Sequence, residues 1–336
     1  MPRRRLSGRQ LERIRAIQDR RRQRLEARTE LVLEQLDDDE PRGGLVVVRH
    51  GASLAIEDAE GLVHRCQTRR NIGQAVCGDR VIWQPSEAGA GVVIALQPRD
   101  TELSRPDYGG RDKALAANIS LMVIVIAARP EPSGYLVDQY LVAAELIGVD
   151  AVIVVNKMDL LSTDEQTKFL SAFDHYAKIG CPVLPVSVKG APGLNQLLPH
   201  LTDRTAILLG QSGVGKSSLI NALLPDQELQ IGRLSEATGL GRHTTSAATC
   251  YRVGDRGHLI DSPGVRSFRL GDIARTDLER GFREFAPYLG RCRFANCSHL
   301  HEPDCAIRTA VDTGDIAPQR LANFHHLAAD ADRAGH

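Results

Sequence analysis

Lysine is scarce in this chain: six lysines stand against thirty-six arginines in 336 residues. A lysine at a position that demands a compact ammonium is therefore informative, because arginine does not substitute there. No apolar run approaches the length of a membrane span, which excludes a spanning helix and leaves no membrane partner to expect. The start, Met1-Pro2-Arg3-Arg4-Arg5, leads into polar residues rather than a signal-peptide core, so a cytoplasmic protein is expected. There is no coiled-coil seam, and a monomer is the expectation. The seven cysteines are odd in number and three fall between 292 and 305, which argues for a metal site over a disulfide framework.

Net charge is also absent, but it is unevenly cancelled. Residues 1–30 hold eleven Arg against four acidic residues, and Asp37-Asp38-Asp39-Glu40 begins the compensation. Residues 1–42 read as an Arg-rich helical arm, either a holder of RNA phosphates or a solvated charged helix. From 43 to 100, short β-type runs alternate with glycine and polar turns: Leu45–Val48, Leu54–Ile56, Leu62–Cys66, Arg80–Trp83 and Gly91–Ala95. Five such strands suit a small closed barrel of the oligonucleotide-binding (OB) type. Arg65, Arg69, Arg70, Arg80 and the lone Trp83 would give it a basic, stacking surface, the alternative being a packing barrel with a solvated rim. Residues 101–116, with Pro106 and Gly109-Gly110, read as a linker.

Strand and helix then alternate over 117–270. The expected elements are strands at 121–126, 151–155, 183–186 and 206–209, and helices at 136–147, 164–177 and 218–224, with further strands at 250–253 and 258–260. Continuous apolar strands between amphipathic helices indicate a parallel sheet covered on both faces.

The run Gly210-Gln211-Ser212-Gly213-Val214-Gly215-Lys216-Ser217-Ser218 follows one of these strands and opens a helix. It fits the phosphate loop G-x-x-x-x-G-K-S. Its glycines let backbone N–H groups converge on triphosphate oxygens, Lys216 would reach the β/γ-phosphates, and the Ser217 hydroxyl would ligate Mg²⁺. Asn156-Lys157-Met158-Asp159 follows another strand and matches the guanine-reading N-K-x-D. Asp159 would accept from the guanine N1–H and amino group, Asn156 would meet the N7/O6 edge, and the Lys157 stem would cover the base. Adenine puts an acceptor where Asp159 needs a donor, so it is rejected. Ser187-Val188-Lys189 resembles the S-A-K element that supports the base.

Asp261-Ser262-Pro263-Gly264 supplies a carboxylate for a Mg²⁺-bound water and a Gly264 N–H for the γ-phosphate. Between them, Gly239–Thr245 reads as a switch, with Thr244 and Thr245 hydroxyls available and Thr244 a further Mg²⁺ ligand. Val265 stands where many GTPases carry a water-orienting Gln, and valine cannot polarise water. His243 is the nearest polar candidate for that catalytic task, the alternative being a switch contact only. Over 271–336, Cys292, Cys297, His299 and Cys305 give three thiols and an imidazole, a tetrahedral structural zinc set in a small helical domain. His301 competes with His299, but the Cys-x-His spacing favours the latter.

The base-reading element precedes the phosphate loop, the reverse of ordinary GTPases, as a circular permutation would produce. The fold class expected is therefore multidomain: an OB-like five-stranded β-barrel, a circularly permuted α/β P-loop GTPase domain and a C-terminal helical zinc-binding domain. Together these resemble the RsgA family of ribosome small-subunit-dependent GTPases over residues 43–310. The resemblance implies a late maturation factor that binds GTP and GDP, the small ribosomal subunit and its rRNA. Its hydrolysis would be stimulated by the subunit and coupled to release. The same resemblance places GTP on Asn156, Lys157, Asp159 and Gly210–Ser218, zinc on the Cys/His set, and His243 in a matching Gly-x-His-Thr-Thr. Ser120 departs from it, standing where the family pattern has Asp. Two other readings remain from the residues alone: an RNA-binding placeholder gated by GTP with incidental turnover, and a permuted GTPase of large-subunit assembly.

Overall fold

The computed structural model describes residues 41–51, 53–69, 72–86, 90–106, 112–224, 226, 248–262, 270 and 273–334. These form two compact units, one within residues 41–100 and one within 101–334. The Arg-rich arm, Arg70, the switch stretch with His243, Thr244 and Thr245, and Pro263, Gly264 and Val265 lie outside the described residues.

The first unit is a closed barrel of β1 (Arg42–His50), β2 (Ser53–Glu57), β3 (Val63–Thr68), β4 (Arg80–Pro85) and β5 (Ala90–Leu96). β1 pairs antiparallel with β2, β2 with β3, and β4 with both β5 and β1, while β3 and β5 run parallel. That circuit leaves no free edge in the ring. Side chains of one parity fill the interior: Val46, Leu54, Ile56, Cys66, Val81, Trp83 and Val93.

Trp83 is thus not a stacking surface, contrary to the sequence expectation. It shares parity with Val81, is 1% exposed, and lies with its ring 4.5 Å from that of His64. A Cβ at Gly91 would come within 2.6 Å of the indole, so glycine makes room for it. Arg65, Arg69 and Arg80 are exposed, Arg80 in an ion pair with Asp100 at 2.9 Å.

The second unit opens with β6 (Glu102–Pro106) and β7 (Asp112–Ala117), which pair antiparallel where the sequence suggested a linker. Pro106 ends a strand rather than opening a free connection. A mixed sheet follows, made of β8 (Leu121–Ala127), β9 (Asp150–Asn156), β10 (Val183–Pro185), β11 (Thr205–Leu209), β12 (Thr249–Val253) and β13 (Gly257–Asp261). Its order is β10-β9-β8-β11-β13-β12, parallel except for β12. Every residue of β8 is buried, as a central strand covered on both faces requires. At its start, Ser120 N–H donates to the Thr205 carbonyl (2.9 Å) and Ser120 Oγ accepts from Thr205 N–H (3.2 Å), so serine serves the strand junction where an Asp was anticipated.

Helix α1 (Gly134–Ile147) crosses from β8 to β9, capped by the Ser133 hydroxyl and by Gly148 in the left-handed region. α2 (Thr163–Ser171) carries the Ser162/Glu165 capping box, and α3 (Asp174–Lys178) follows a break at Ala172-Phe173. One helix was expected there. The break turns Phe173 and Tyr176 inward, whereas α2 buries nothing. α4 (Leu198–Leu201) precedes β11 and α5 (Lys216–Leu223) follows the phosphate loop.

The C-terminal part holds α6 (Arg275–Gly281), a 3-10 segment (Arg283–Tyr288), α7 (Ala306–Asp312) and α8 (Pro318–Ala334). Its core of Leu278, Phe282, Phe285, Ile307, Ile316, Phe324 and Leu327 also takes in Val142 of α1.

Candidate nucleotide site and metal centre

Because β8, β9, β10, β11 and β13 are parallel, the loops after them emerge at one edge of the sheet. Asn156–Asp159, Ser187–Lys189, Gly210–Ser217 and Asp261 all sit at that edge, where doubly wound sheets take ligands. Sequence order is thereby irrelevant to who meets whom.

The phosphate loop is closed by backbone geometry. Gly210, Gly213 and Gly215 have φ of 133°, 81° and 96°. A Cβ at Gly210 would stand 2.2 Å from the Val125 carbonyl oxygen, and one at Gly215 would stand 2.4 Å from Asn156 Nδ2. Only glycine fits at either place. The Lys216 ammonium donates to the carbonyls of Gly210 (2.7 Å) and Gln211 (2.6 Å), so it is drawn in over the loop. Ser212 and Gly213 are exposed, Val214 is buried beneath the loop, and Ser217 and Ser218 are exposed at the first turn of α5.

The base-reading element is tied to that loop. Asn156 Nδ2 donates to the Val214 carbonyl at 2.9 Å, and its buried Oδ1 has no hydrogen-bond partner among the described residues. Lys157, with φ of 63°, runs its ammonium to the carbonyls of Arg129 (3.1 Å) and Gly213 (2.5 Å). Met158 is fully buried and its N–H donates to the Val186 carbonyl at 3.2 Å. Asp159 is exposed. The Ser187 hydroxyl donates to Asp159 Oδ1 at 2.5 Å and accepts from Lys189 N–H (3.2 Å) and Gly190 N–H (3.1 Å). That network orients one carboxylate oxygen and leaves the other free to accept. Val188 is half-buried beside it.

In the C-terminal part, the Sγ and imidazole nitrogen atoms of Cys292, Cys297, His299 and Cys305 lie within 4.8 Å of one another. Cys292 Sγ is 3.9 Å from Cys305 Sγ, and His299 Nδ1 is 3.6 and 3.3 Å from these two sulfurs. A tetrahedron with metal–sulfur bonds of about 2.3 Å has edges of about 3.8 Å, so the donor set fits an ion of that size. His299 is held at φ 62°, and its Nε2 lies 3.4 Å from Glu279 Oε1 of α6, the carboxylate that such a ligand's far nitrogen usually faces. His301 is exposed and outside the cluster.

The RsgA GTPase family model matches residues 96–271. The small ribosomal subunit biogenesis GTPase RsgA of Azotobacter vinelandii is 42% identical over 336 residues, covering 98% of each chain. Its counterpart in Alcanivorax borkumensis is 44% identical over 98% of this chain and 96% of its own. The chain belongs to the RsgA GTPase family. Among solved structures, YjeQ from Thermotoga maritima aligns with a TM-score of 0.71 at 31% identity, over 87% of this chain and 99% of that one. YloQ, described as a circularly permuted GTPase, gives 0.68 at 27% identity, over 88% of this chain and 96% of that one.

The fold of this chain combines an OB-like barrel, a permuted GTPase sheet and a Cys/His cluster. The structure brings the predicted residues to one edge: Asn156 and Lys157 are bonded to the Val214 and Gly213 carbonyls of the phosphate loop, Lys216 to the loop's own Gly210 and Gln211 carbonyls, and Ser187 to Asp159 and Lys189, with Met158, Gly215, Ser217, Ser218 and Asp261 beside them. Sequence reasoning missed Tyr140. It is 1% exposed, takes a hydrogen bond from the Gly210 N–H, and has its hydroxyl pushed up to about 12 by burial. It missed Glu279 as well. Both sit on helices with no motif, and the only signal available was a polar tip on an inward helical position.

Proposed function

We propose that this GTPase is a late maturation factor of the small ribosomal subunit, stimulated by that subunit and released after hydrolysis. The names of its relatives support the subunit. The guanine site is supported by one observation above the rest: Asp159 is oriented by Ser187 beside a phosphate loop to which Asn156 is bonded. GTP or GDP occupies this site, with Asp159 reading the base, Asn156 at the N7/O6 edge, Lys157 along the base, and Ser187, Val188 and Lys189 in support.

The Lys216 ammonium exchanges the carbonyls of Gly210 and Gln211 for phosphate oxygens, lowering the charge that opposes attack. Mg²⁺ fits the hard oxygen donors Ser217 and Asp261, with Thr244 from the switch, and supplies further neutralisation of the phosphates. Thr245 and the Gly264 N–H complete the phosphate contacts, and His243 orients the water. Three thiolates and an imidazole suit zinc, which gives the C-terminal domain, 271–336, its stability. The barrel, 43–100, offers Arg65, Arg69 and Arg80 to rRNA. The protein works in the cytoplasm as a monomer; among the described residues no helix is long and apolar enough to cross a membrane.

The test is phosphate release from GTP, with ATP as control, by metal-loaded protein alone, with small subunits and with large subunits. Small subunits alone should raise GTP turnover by orders of magnitude, and His243→Ala should bind GTP but lose that rise. Equal stimulation by large subunits would refute the partner, and full stimulated turnover by His243→Ala would refute the role of the imidazole.

A further inference from the structure

Helix α1 has two faces with different attachments. On one, Tyr135, Asp138, Val142 and Glu145 follow the i, i+3, i+7, i+10 spacing that aligns side chains in a single stripe. Every member of that stripe is bound to the C-terminal part. The Tyr135 hydroxyl donates to Asp330. Asp138 forms an ion pair with Arg320, whose Nη1 lies 2.6 Å from Oδ1, and accepts a hydrogen bond from Asn323 Nδ2 at 2.6 Å. Val142 belongs to the core that contains Cys297 and Cys305, and a Cβ at Gly281 would stand 2.6 Å from it. Glu145 pairs with Arg283 at 2.9 Å.

The centre of this seam is dry. Asp138 is fully buried and Arg320 is 2% exposed. Arg320 also grips Glu284 through Nε (2.6 Å) and Nη2 (3.0 Å) and lies 4.4 Å from the Phe282 ring centroid, while Tyr176 donates to Asp138 at 2.7 Å. A buried pair with this many partners tolerates one geometry and not a sliding range of them.

The other face of α1 meets the sheet, and there Tyr140 takes the Gly210 N–H. The loop just before α1 touches the same target: Pro130 Cδ is 3.7 Å from the Cβ position of Gly213, and Lys157 joins the Arg129 carbonyl to the Gly213 carbonyl. One helix is therefore bonded to the phosphate loop on one side and to the metal-centred core on the other.

We propose that α1 couples the C-terminal part to the phosphate loop, with Tyr140 as a positioning residue for that loop and the Asp138–Arg320 pair as the attachment that sets where α1 stands. A displacement of the C-terminal part is then felt at Gly210, and nucleotide affinity depends on it. The coupling is reciprocal: nucleotide also changes how firmly the C-terminal part is held. This rests on the phosphate-loop reading given above.

The experiment combines GDP affinity with hydrogen exchange of the loop peptide 206–216, on metal-loaded full-length protein, for Tyr140→Phe, Arg320→Met and the double variant. Tyr140→Phe should weaken GDP about tenfold and speed exchange at the loop, because a buried N–H loses its acceptor. Arg320→Met should weaken GDP about fivefold and speed the same amides, yet add nothing in the Tyr140→Phe background. Tyr135→Phe, a milder cut in the same seam, should move loop exchange in the same direction if Arg320→Met does not fold. Multiplying effects in the double variant, or seam variants that loosen only the C-terminal part, would overturn the coupling. Failure of the unsubstituted protein to bind GDP would instead overturn the nucleotide-site reading.

Discussion

Gly215 has no space for a methyl group, since a Cβ there would fall 2.4 Å from Asn156 Nδ2 at a backbone φ of 96°. Gly215→Ala must push Asn156 off the Val214 carbonyl and strain the loop as well. kcat/KM for GTP should fall on the order of 10²-fold, the scale of an ångström-sized misplacement, and the strain should lower the melting temperature by a few degrees. Ser187→Ala is a milder test: it removes the hydroxyl that orients Asp159 and should raise KM for GTP about tenfold, the worth of one hydrogen bond to a charged group, with kcat nearly unchanged. A fall in kcat alone would place Ser187 outside base recognition. These residues were legible in the sequence because their chemistry forces a short spacing. Trp83 was misread because exposure depends on strand parity and on what Gly91 leaves open, which a count of aromatics does not reveal. The sequence signal was there in the shared parity of Val81 and Trp83.

At the scale of elements, the apolar runs located the strands of the barrel and of the parallel sheet to within about three residues, since burial leaves little freedom, but the more polar pair β6 and β7 was read as a linker. Helix boundaries were less legible. The break at Ala172-Phe173 serves the burial of Tyr176 against Asp138, and that partner lies on a helix far away in sequence. The seam on α1 was invisible for the same reason: Asp138 alone looks like a surface carboxylate until Arg320 and Asn323 arrive. Arg320→Met leaves Asp138 buried and Glu284 without its partner, so unfolding free energy should drop by about 3–5 kcal/mol, read from chemical denaturation. Replacing Asp138 and Arg320 together with apolar residues of similar size should recover part of that loss. No recovery would mean that the pair is held for more than its charges.

For the whole molecule, permutation moves the ends of the chain and spares the neighbours. Base-reading, phosphate and Asp261 elements share one edge because the strands are parallel, whatever their order. The further effect is that, in chain order, β13 comes directly before the part of the chain that holds the metal-centred core, whose cysteines sit among Phe282, Phe285 and Phe324. Chelation should therefore unfold that core and, with it, lower GDP affinity, followed by near-UV circular dichroism and a GDP titration on one sample. Loss of the metal without change in either signal would show that the four ligands carry no folding energy.

Base selectivity bears most directly on the nucleotide site. Titration of fluorescent GDP, ADP and xanthosine diphosphate into the metal-loaded protein and into Asp159→Asn reads it in one experiment. The unsubstituted protein should prefer GDP over ADP by on the order of 10⁴-fold, because adenine leaves Asp159 facing an acceptor. Asp159→Asn should lose GDP and gain the xanthine nucleotide, whose carbonyl accepts from the new amide. Equal binding of GDP and ADP, or an Asp159→Asn protein with unchanged preference, would contradict a guanine site built from the loops at this edge of the sheet.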